Sequence, residues 1–158
     1  MGDSSGGHTA LMCWATWNTR KLDTSSVPLP PVRAFIDLYG VVDLLKLRED
    51  EQAEMTNQAE NKLPDGYSEL IKNGSVIDYI SESTETEPLL ILHGTKDTVV
   101  SFNQSVHLYV HAKKLNKEVT FYAVDDGDHG KSIFYNKETI QTIINFLEEH
   151  KTSNYNWF

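Results

Sequence analysis

Apolar and polar positions along the chain follow two periods. Ala10, Cys13, Trp14 and Trp17 stand at i, i+3, i+4 and i+7 and predict one face of a helix, directly after the turn-prone opening Gly2-Asp3-Ser4-Ser5-Gly6-Gly7-His8. Residues 24–31 carry Pro28, Pro30 and Pro31 and read as a loop, since proline removes backbone donors. Residues 32–39 then read as a strand closed by Gly40. The run Pro88-Leu89-Leu90-Ile91-Leu92-His93 is almost continuously apolar and stops at Gly94, the pattern of a strand buried on both faces of a parallel sheet. Ser101 is placed to cap a helix reaching about Leu115, with Val106, Tyr109 and Val110 on one face. Residues 118–124 alternate and are β-rich. Beyond the turn at 125–130, Ile140, Ile143, Ile144 and Leu147 repeat the helical spacing and predict a last helix whose stripe buries against the sheet. Residues 41–87 are acidic and irregular, with short helical pieces at 66–72 and 75–80. This alternation predicts an α/β fold with a mainly parallel sheet and crossover helices.

Composition narrows the partners. A length of 158 residues, 39% of them hydrophobic, suits one domain with a sizeable core. Lys and Arg number 14 against 23 Asp and Glu, and the formal charge of −9 argues against nucleic acid or an anionic lipid surface as partner. Cys13 is the only cysteine, so an intramolecular disulfide and a Cys-rich metal site are both excluded. No apolar run reaches the roughly 18 residues of a membrane span, and the N-terminus lacks the regions of a signal peptide. These features lead to a cytoplasmic reading. His107 and His111 share a helix face at i, i+4, but Leu108 stands where a metalloprotease has its glutamate and no third ligand is marked out. No metal and no other cofactor is expected.

Gly2-Asp3-Ser4-Ser5-Gly6 matches G-x-S-x-G, the nucleophile elbow in which a sharp strand-to-helix turn exposes a serine hydroxyl. Its glycines are expected to be needed because bulky neighbours would clash in such a turn. A serine at a helix start also has backbone N–H groups beside it, and the Ser5 N–H is the natural oxyanion donor. The same residues also fit a flexible start with a helix-capping Ser or Asp. Two later turns hold the partners a serine nucleophile needs. Asp97 follows the buried strand, and His129 follows the next one, so Ser4, Asp97 and His129 fall in the Ser, Asp, His order of the α/β-hydrolase arrangement. Singly, Asp97 also fits a turn aspartate and His129 an exposed loop histidine. Asp126 and Asp128 compete with Asp97 for the imidazole, but a partner from another strand end approaches it without local strain. His8 can equally be a polar residue of the first helical turn.

With these motifs the chain resembles the C-terminal half of an α/β-hydrolase of the esterase/lipase group, among small carboxylesterases of acetyl-esterase and feruloyl-esterase-like type. Gly2-Asp3-Ser4-Ser5-Gly6-Gly7-His8 is similar to their elbow, and Phe35-Ile36-Asp37-Leu38-Tyr39-Gly40-Val41-Val42-Asp43-Leu44 to the next strand and its exit. Leu92-His93-Gly94-Thr95-Lys96-Asp97-Thr98-Val99-Val100 is similar to the acid-bearing segment, and Gly127-Asp128-His129-Gly130 to the base-bearing one. The resemblance implies a single, truncated α/β-hydrolase domain over 1–158, with 41–87 a cap-like insertion whose Tyr67, Leu70 and Ile71 line a pocket. The family's strands before the elbow, including the one that enters it, and its His-Gly-Gly loop with the second oxyanion N–H have no counterpart. An open sheet edge is thus expected, to be covered by a second copy or a partner chain.

The implied activity is serine carboxylic ester hydrolysis of a small-molecule ester, with Ser4 as nucleophile, His129 as base, Asp97 as acid and Ser5 in the oxyanion hole. Two alternatives stand beside it. One is a serine peptidase of prolyl-oligopeptidase type, and the other a non-catalytic remnant or subunit that needs a partner half.

Overall fold

The computed structural model describes residues 1–47, 71 and 73–151. Among the described residues the sheet has four strands, β1 (Gly2–Asp3), β2 (Phe35–Leu38), β3 (Leu89–Gly94) and β4 (Val119–Val124), in the order β1-β2-β3-β4. Every neighbouring pair is parallel, with Gly2 opposite Asp37, Phe35 opposite Leu89 and Leu89 opposite Val119. Parallel neighbours need crossovers, and the helices α1 (Ser5–Thr16) and α2 (Phe102–Lys114) lie in the first and third of them. A last helix, α3 (Lys137–Glu149), follows β4, and short 3₁₀ turns occupy Val76–Tyr79 and Ser132–Tyr135.

Strand side chains alternate between faces, so each strand feeds two cores. Phe35, Leu89, Ile91 and Val119 pack with Leu11, Trp14 and Ala15 of α1 and Leu108 and Ala112 of α2. Ile36, Leu38, Leu90, Leu92 and Val124 pack on the other face with Phe134 and with Phe146 of α3. All six residues of β3 are buried, which is why its sequence is a continuous apolar run rather than an alternation. Each of its four aliphatic side chains contributes about 1.5–3 kcal/mol by leaving water.

The helix phases differ from the sequence reading in two places. In α2 the buried residues are Gln104, Ser105, Leu108 and Ala112, while Val110 is exposed. Gln104 is buried because it clamps the chain after β2. Its Oε1 accepts from Val42 N at 3.0 Å and Asp43 N at 2.7 Å, and its Nε2 donates to Asp43 O at 3.1 Å. In α3 the expected stripe is turned half outward, with Ile140, Ile144 and Leu147 each about 45% exposed. Only Ile143 packs inward, beside Phe146. The turn of α3 is set by Asn136, whose side chain accepts from Thr139 N, and by Thr139, whose hydroxyl donates to Ile133 O at 2.8 Å.

The chain also opens on a strand, not on a turn alone, because Gly2 and Asp3 pair with β2. Strand β2 ends earlier than expected, since Tyr39 takes a left-handed φ of 45°. In the segment 41–87, Val76 and Ile80 belong to the core under α1 and α2. Residues 48–70 and 72, with Tyr67 and Leu70, lie outside the described residues.

Asp37 is fully buried on β2, with Oδ1 accepting from Gly40 N at 3.0 Å and Oδ2 without a partner among the described residues. Burial pushes its carboxyl up to about 7, against the smaller opposite effect of the Gly40 N–H. The folded state therefore holds a proton that the unfolded chain has already released, and stability falls as pH rises from about 4 through about 7. The protonated acid is the isostere of asparagine. Asp37→Asn is expected to flatten that fall and to gain up to about 4 kcal/mol above pH 8, by urea unfolding at several pH values. Equal pH slopes in both proteins would contradict it.

Candidate active site

Ser4 lies between β1 and α1 with φ 50° and ψ −117°, a backbone region that L-residues rarely adopt. Its N–H donates to Leu38 O at 2.9 Å, and its carbonyl accepts from His8 N at 2.9 Å, so the turn is fastened to both β2 and α1. The turn is tight enough that a Cβ on Gly2 would lie 2.1 Å from the Gly6 carbonyl oxygen. Gly6 itself is less demanding, because a Cβ there meets only Asp3 Oδ1 at 3.7 Å. The second steric requirement falls on Gly7, whose Cβ would lie 2.4 Å from Asp37 Oδ1 and 2.9 Å from Gly40 Cα. Ser5 opens α1, so its N–H is one of the four that a helix leaves without an internal partner.

Asp97 sits in the turn after β3 with its carboxylate shut off from solvent. Oδ1 accepts from Val99 N and Val100 N, both at 2.8 Å, and Oδ2 lies 2.8 Å from His129 Nδ1. His129 Nε2 lies 2.9 Å from Ser4 Oγ. Because a carboxylate only accepts, Nδ1 carries the proton, and Nε2 is left to accept from the serine hydroxyl. The structure thus brings Ser4, His129 and Asp97 into one hydrogen-bonded line from the ends of β1, β4 and β3.

Neither competing aspartate touches the imidazole ring. Asp126 pairs with Lys96 at 2.5 Å, in the open. Asp128 Oδ1 accepts from His129 N at 2.8 Å, Thr98 N at 3.1 Å and Thr98 Oγ at 2.8 Å, so it ties the loop of His129 to the loop of Asp97. Lys131 at 2.6 Å, then the His129 and Thr98 donors, hold its carboxyl well below the usual carboxylate range. Beneath these loops Gly94 and Gly127 meet backbone to backbone. A Cβ on Gly94 would stand 2.3 Å from Gly127 O.

Four residues around this line carry no signal in the sequence periods. Tyr39 is buried and sets its ring edge-on to His129, with centroids 4.7 Å apart. Its hydroxyl lies 3.0 Å from that of Tyr135 and 3.3 Å from Asp3 Oδ2, while Tyr135 donates to the same Asp3 oxygen at 2.9 Å. Asp3 precedes the serine and Tyr135 follows the histidine loop, so this trio links the two across the ring of Tyr39. Burial, with Tyr135 and Asp3 adding to it, pushes the Tyr39 phenol up, and the group stays protonated. The fourth residue, His93, lies wholly buried under Asp97, with Nε2 at 3.2 Å from Oδ2.

The other histidines stand apart. His8 Nδ1 lies 3.0 Å from Val41 O and fastens α1 to the chain after β2. Among the described residues no three His, Cys, Asp or Glu side chains gather in a way that could hold a metal ion, and no helix is long and apolar enough to cross a membrane.

Comparisons with known proteins agree with this architecture. The truncated form of a carbohydrate esterase from gut microbiota superposes with a TM-score of 0.72 at 23% identity, over 94% of this chain and 57% of its own. Esterase B from Lactobacillus Rhamnosis (HN001) gives 0.69 at 19% identity, over 94% of this chain and 50% of its own. The Pyrococcus horikoshii acylaminoacyl peptidase gives 0.69 at 20% identity, over 99% of this chain and 24% of its own. The likeness is one of fold, and the chain spans between about a quarter and three fifths of the length of these structures. No curated protein sequence matches the chain. The model of one family, described as BD-FAE, matches residues 1–112, which include β1 to β3, the elbow and Asp97. On a match over more than half its length, the chain belongs to the BD-FAE family.

Proposed function

We propose that the chain is a serine carboxylic ester hydrolase acting on a small-molecule ester through an acyl-enzyme. The observation that carries this reading is the line Ser4 Oγ, His129 Nε2 at 2.9 Å, and His129 Nδ1 to Asp97 Oδ2 at 2.8 Å. Ser4 Oγ attacks the ester carbonyl while His129 Nε2 takes its proton, and Asp97 steadies the imidazolium that forms. The carbonyl oxygen gains charge beside the Ser5 N–H at the start of α1. His129 then returns the proton to the leaving alcohol, and water repeats the sequence to free the acid. The lone Cys13 and the acidic balance support a cytoplasmic setting with no nucleic-acid partner. Among the described residues β1 pairs with β2 alone, and this reading places a second copy or partner chain along its other side.

A second reading is favoured by the fold likeness to an acylaminoacyl peptidase over 99% of the chain. It makes the scissile bond an amide, and comparing a p-nitrophenyl ester with the matching p-nitroanilide separates the two. The test of the common mechanism is labelling of the purified chain by a fluorophosphonate. Labelling is expected, and its loss in both Ser4→Ala and His129→Ala. A folded chain that takes no label would overturn the reading in favour of a non-catalytic subunit.

A further inference from the structure

His93 is the last side chain of β3 before Gly94, and it is entirely buried. A titratable ring in such a place is retained at a cost in desolvation unless both nitrogens are satisfied. Here both are. Nε2 lies 2.9 Å from Val100 O, which can only accept, so Nε2 carries the proton. Nδ1 is then the acceptor, and it lies 2.7 Å from Ser105 Oγ, whose hydroxyl donates to it. Burial, outweighing the Val100 carbonyl and Asp97, pulls the ring down from its ordinary value and keeps it neutral.

The Nε2–H is given to Val100 O, and Nε2 itself lies 3.2 Å from Asp97 Oδ2, the same oxygen that His129 Nδ1 approaches at 2.8 Å. Asp97 thus has Oδ1 held by Val99 N and Val100 N and Oδ2 by His129 Nδ1, with His93 Nε2 beside that same oxygen. Val100 joins the two sides, since its N–H binds Oδ1 and its carbonyl binds His93.

We propose that His93 is a positioning residue: its Nε2–H, steered by the Val100 carbonyl and the Ser105 hydroxyl, holds Asp97 Oδ2 in line with His129 and tempers the charge that the carboxylate presents to it. This deepens the ester-hydrolase reading and rests on it for its effect on rate.

A carboxylate that loses one donor keeps more negative charge for its remaining partner, so the His129 imidazolium is stabilised and its titration moves up. The other groups facing His129 are the Tyr39 ring, with Asp3 and Tyr135 behind it, and Asp128 with Lys131. None of them touches His93, whose aromatic neighbour is Phe102, edge-on at 5.8 Å.

The test uses two amides of the same chemistry. In His93→Gln the amide reaches the place of Nε2 and can donate to Asp97, whereas in His93→Asn it reaches only the place of Nδ1, toward Ser105. NMR of the imidazole nitrogens reads the titration of His129 directly, with its signals assigned by loss in His129→Ala. The expected midpoint in His93→Asn lies about one unit above that of the wild type, and that of His93→Gln stays with the wild type. The acid limb of fluorophosphonate labelling moves by the same amount, so below it the Asn variant labels about tenfold more slowly. Equal midpoints in the folded Asn and Gln variants would overturn the assignment and leave His93 a packing residue. If His93→Asn does not fold, His93→Met, apolar and adaptable in a core, takes its place in the comparison. The NMR titration needs no turnover, so a chain that takes no label still reports on His93, and equal midpoints leave the labelling result standing.

Discussion

Asp97→Asn is expected to lower ester turnover by about 10⁴-fold while the chain remains folded. The geometry gives the reason. Val99 N and Val100 N both donate to Oδ1 at 2.8 Å, so the asparagine oxygen must stay there and its amide nitrogen must take the place of Oδ2. That nitrogen is a donor, and it faces His129 Nδ1 at the 2.8 Å now spanned by the carboxylate bond. His129 would then accept at Nδ1 and carry its proton on Nε2, where Ser4 needs an acceptor at 2.9 Å. The wrong tautomer removes the base without removing any atom from the site. The new amide also meets the Nε2–H of His93, which adds a local cost in stability. Steady-state turnover of a p-nitrophenyl ester, with circular dichroism as the check on folding, measures the effect. A folded variant that keeps a tenth of the activity would count against Asp97 as the partner of His129.

Gly94→Ala is expected to cost about 2–4 kcal/mol of stability and most of the activity. A Cβ there meets Gly127 O at 2.3 Å, Gly127 C at 2.5 Å and Gly127 Cα at 3.0 Å. All three are backbone atoms, so no side chain can swing aside. The same contact carries the hydrogen bonds from Lys96 N to Gly127 O at 2.9 Å and from Thr95 N to Val124 O at 3.0 Å. Relief of the clash must part the loop of Asp97 from the loop of His129, and a shift of about 1 Å in a catalytic group can cost about 10²-fold in rate. Gly6→Ala is the contrast. Its Cβ has room, and alanine favours the helix by about 1 kcal/mol, so its melting point should hold or rise. A melting point for Gly94→Ala equal to that of the parent would show that the two loops are not held by this contact.

The elements were legible in the sequence to the extent that one period reports them. The unbroken apolar run of β3, closed by Gly94, has the pattern of a doubly buried strand, and the turns after it and after β4 offered Asp97 and His129 as the residues nearest a parallel sheet's functional edge. The elbow pattern offered Ser4, although the steric need it assigned to Gly6 belongs to Gly7, where a Cβ would meet Asp37 of β2 and Gly40 just beyond its end.

What the sequence alone determined, then, is which segments after the two-residue β1 are strand or helix, in what order they alternate, and which residue types stand at their ends. Those follow from local backbone preference and from periods that repeat within a single element. Tertiary structure alone decided the rest, because the partners are distant in the chain. The Tyr39 hydroxyl meets Asp3 from 36 positions away, and the hydroxyl of Tyr135 meets the same carboxylate from 132. His93 reads as one more residue of an apolar run until β3 and α2 close around it and give it Ser105. The stripe of α3 shows the same limit, since a period of 3.6 reveals that a helix has an apolar face but not its angle to the sheet. That angle is set by the Asn136 cap and by the fit of Phe146 into the core, both of which exist only once the chain is folded.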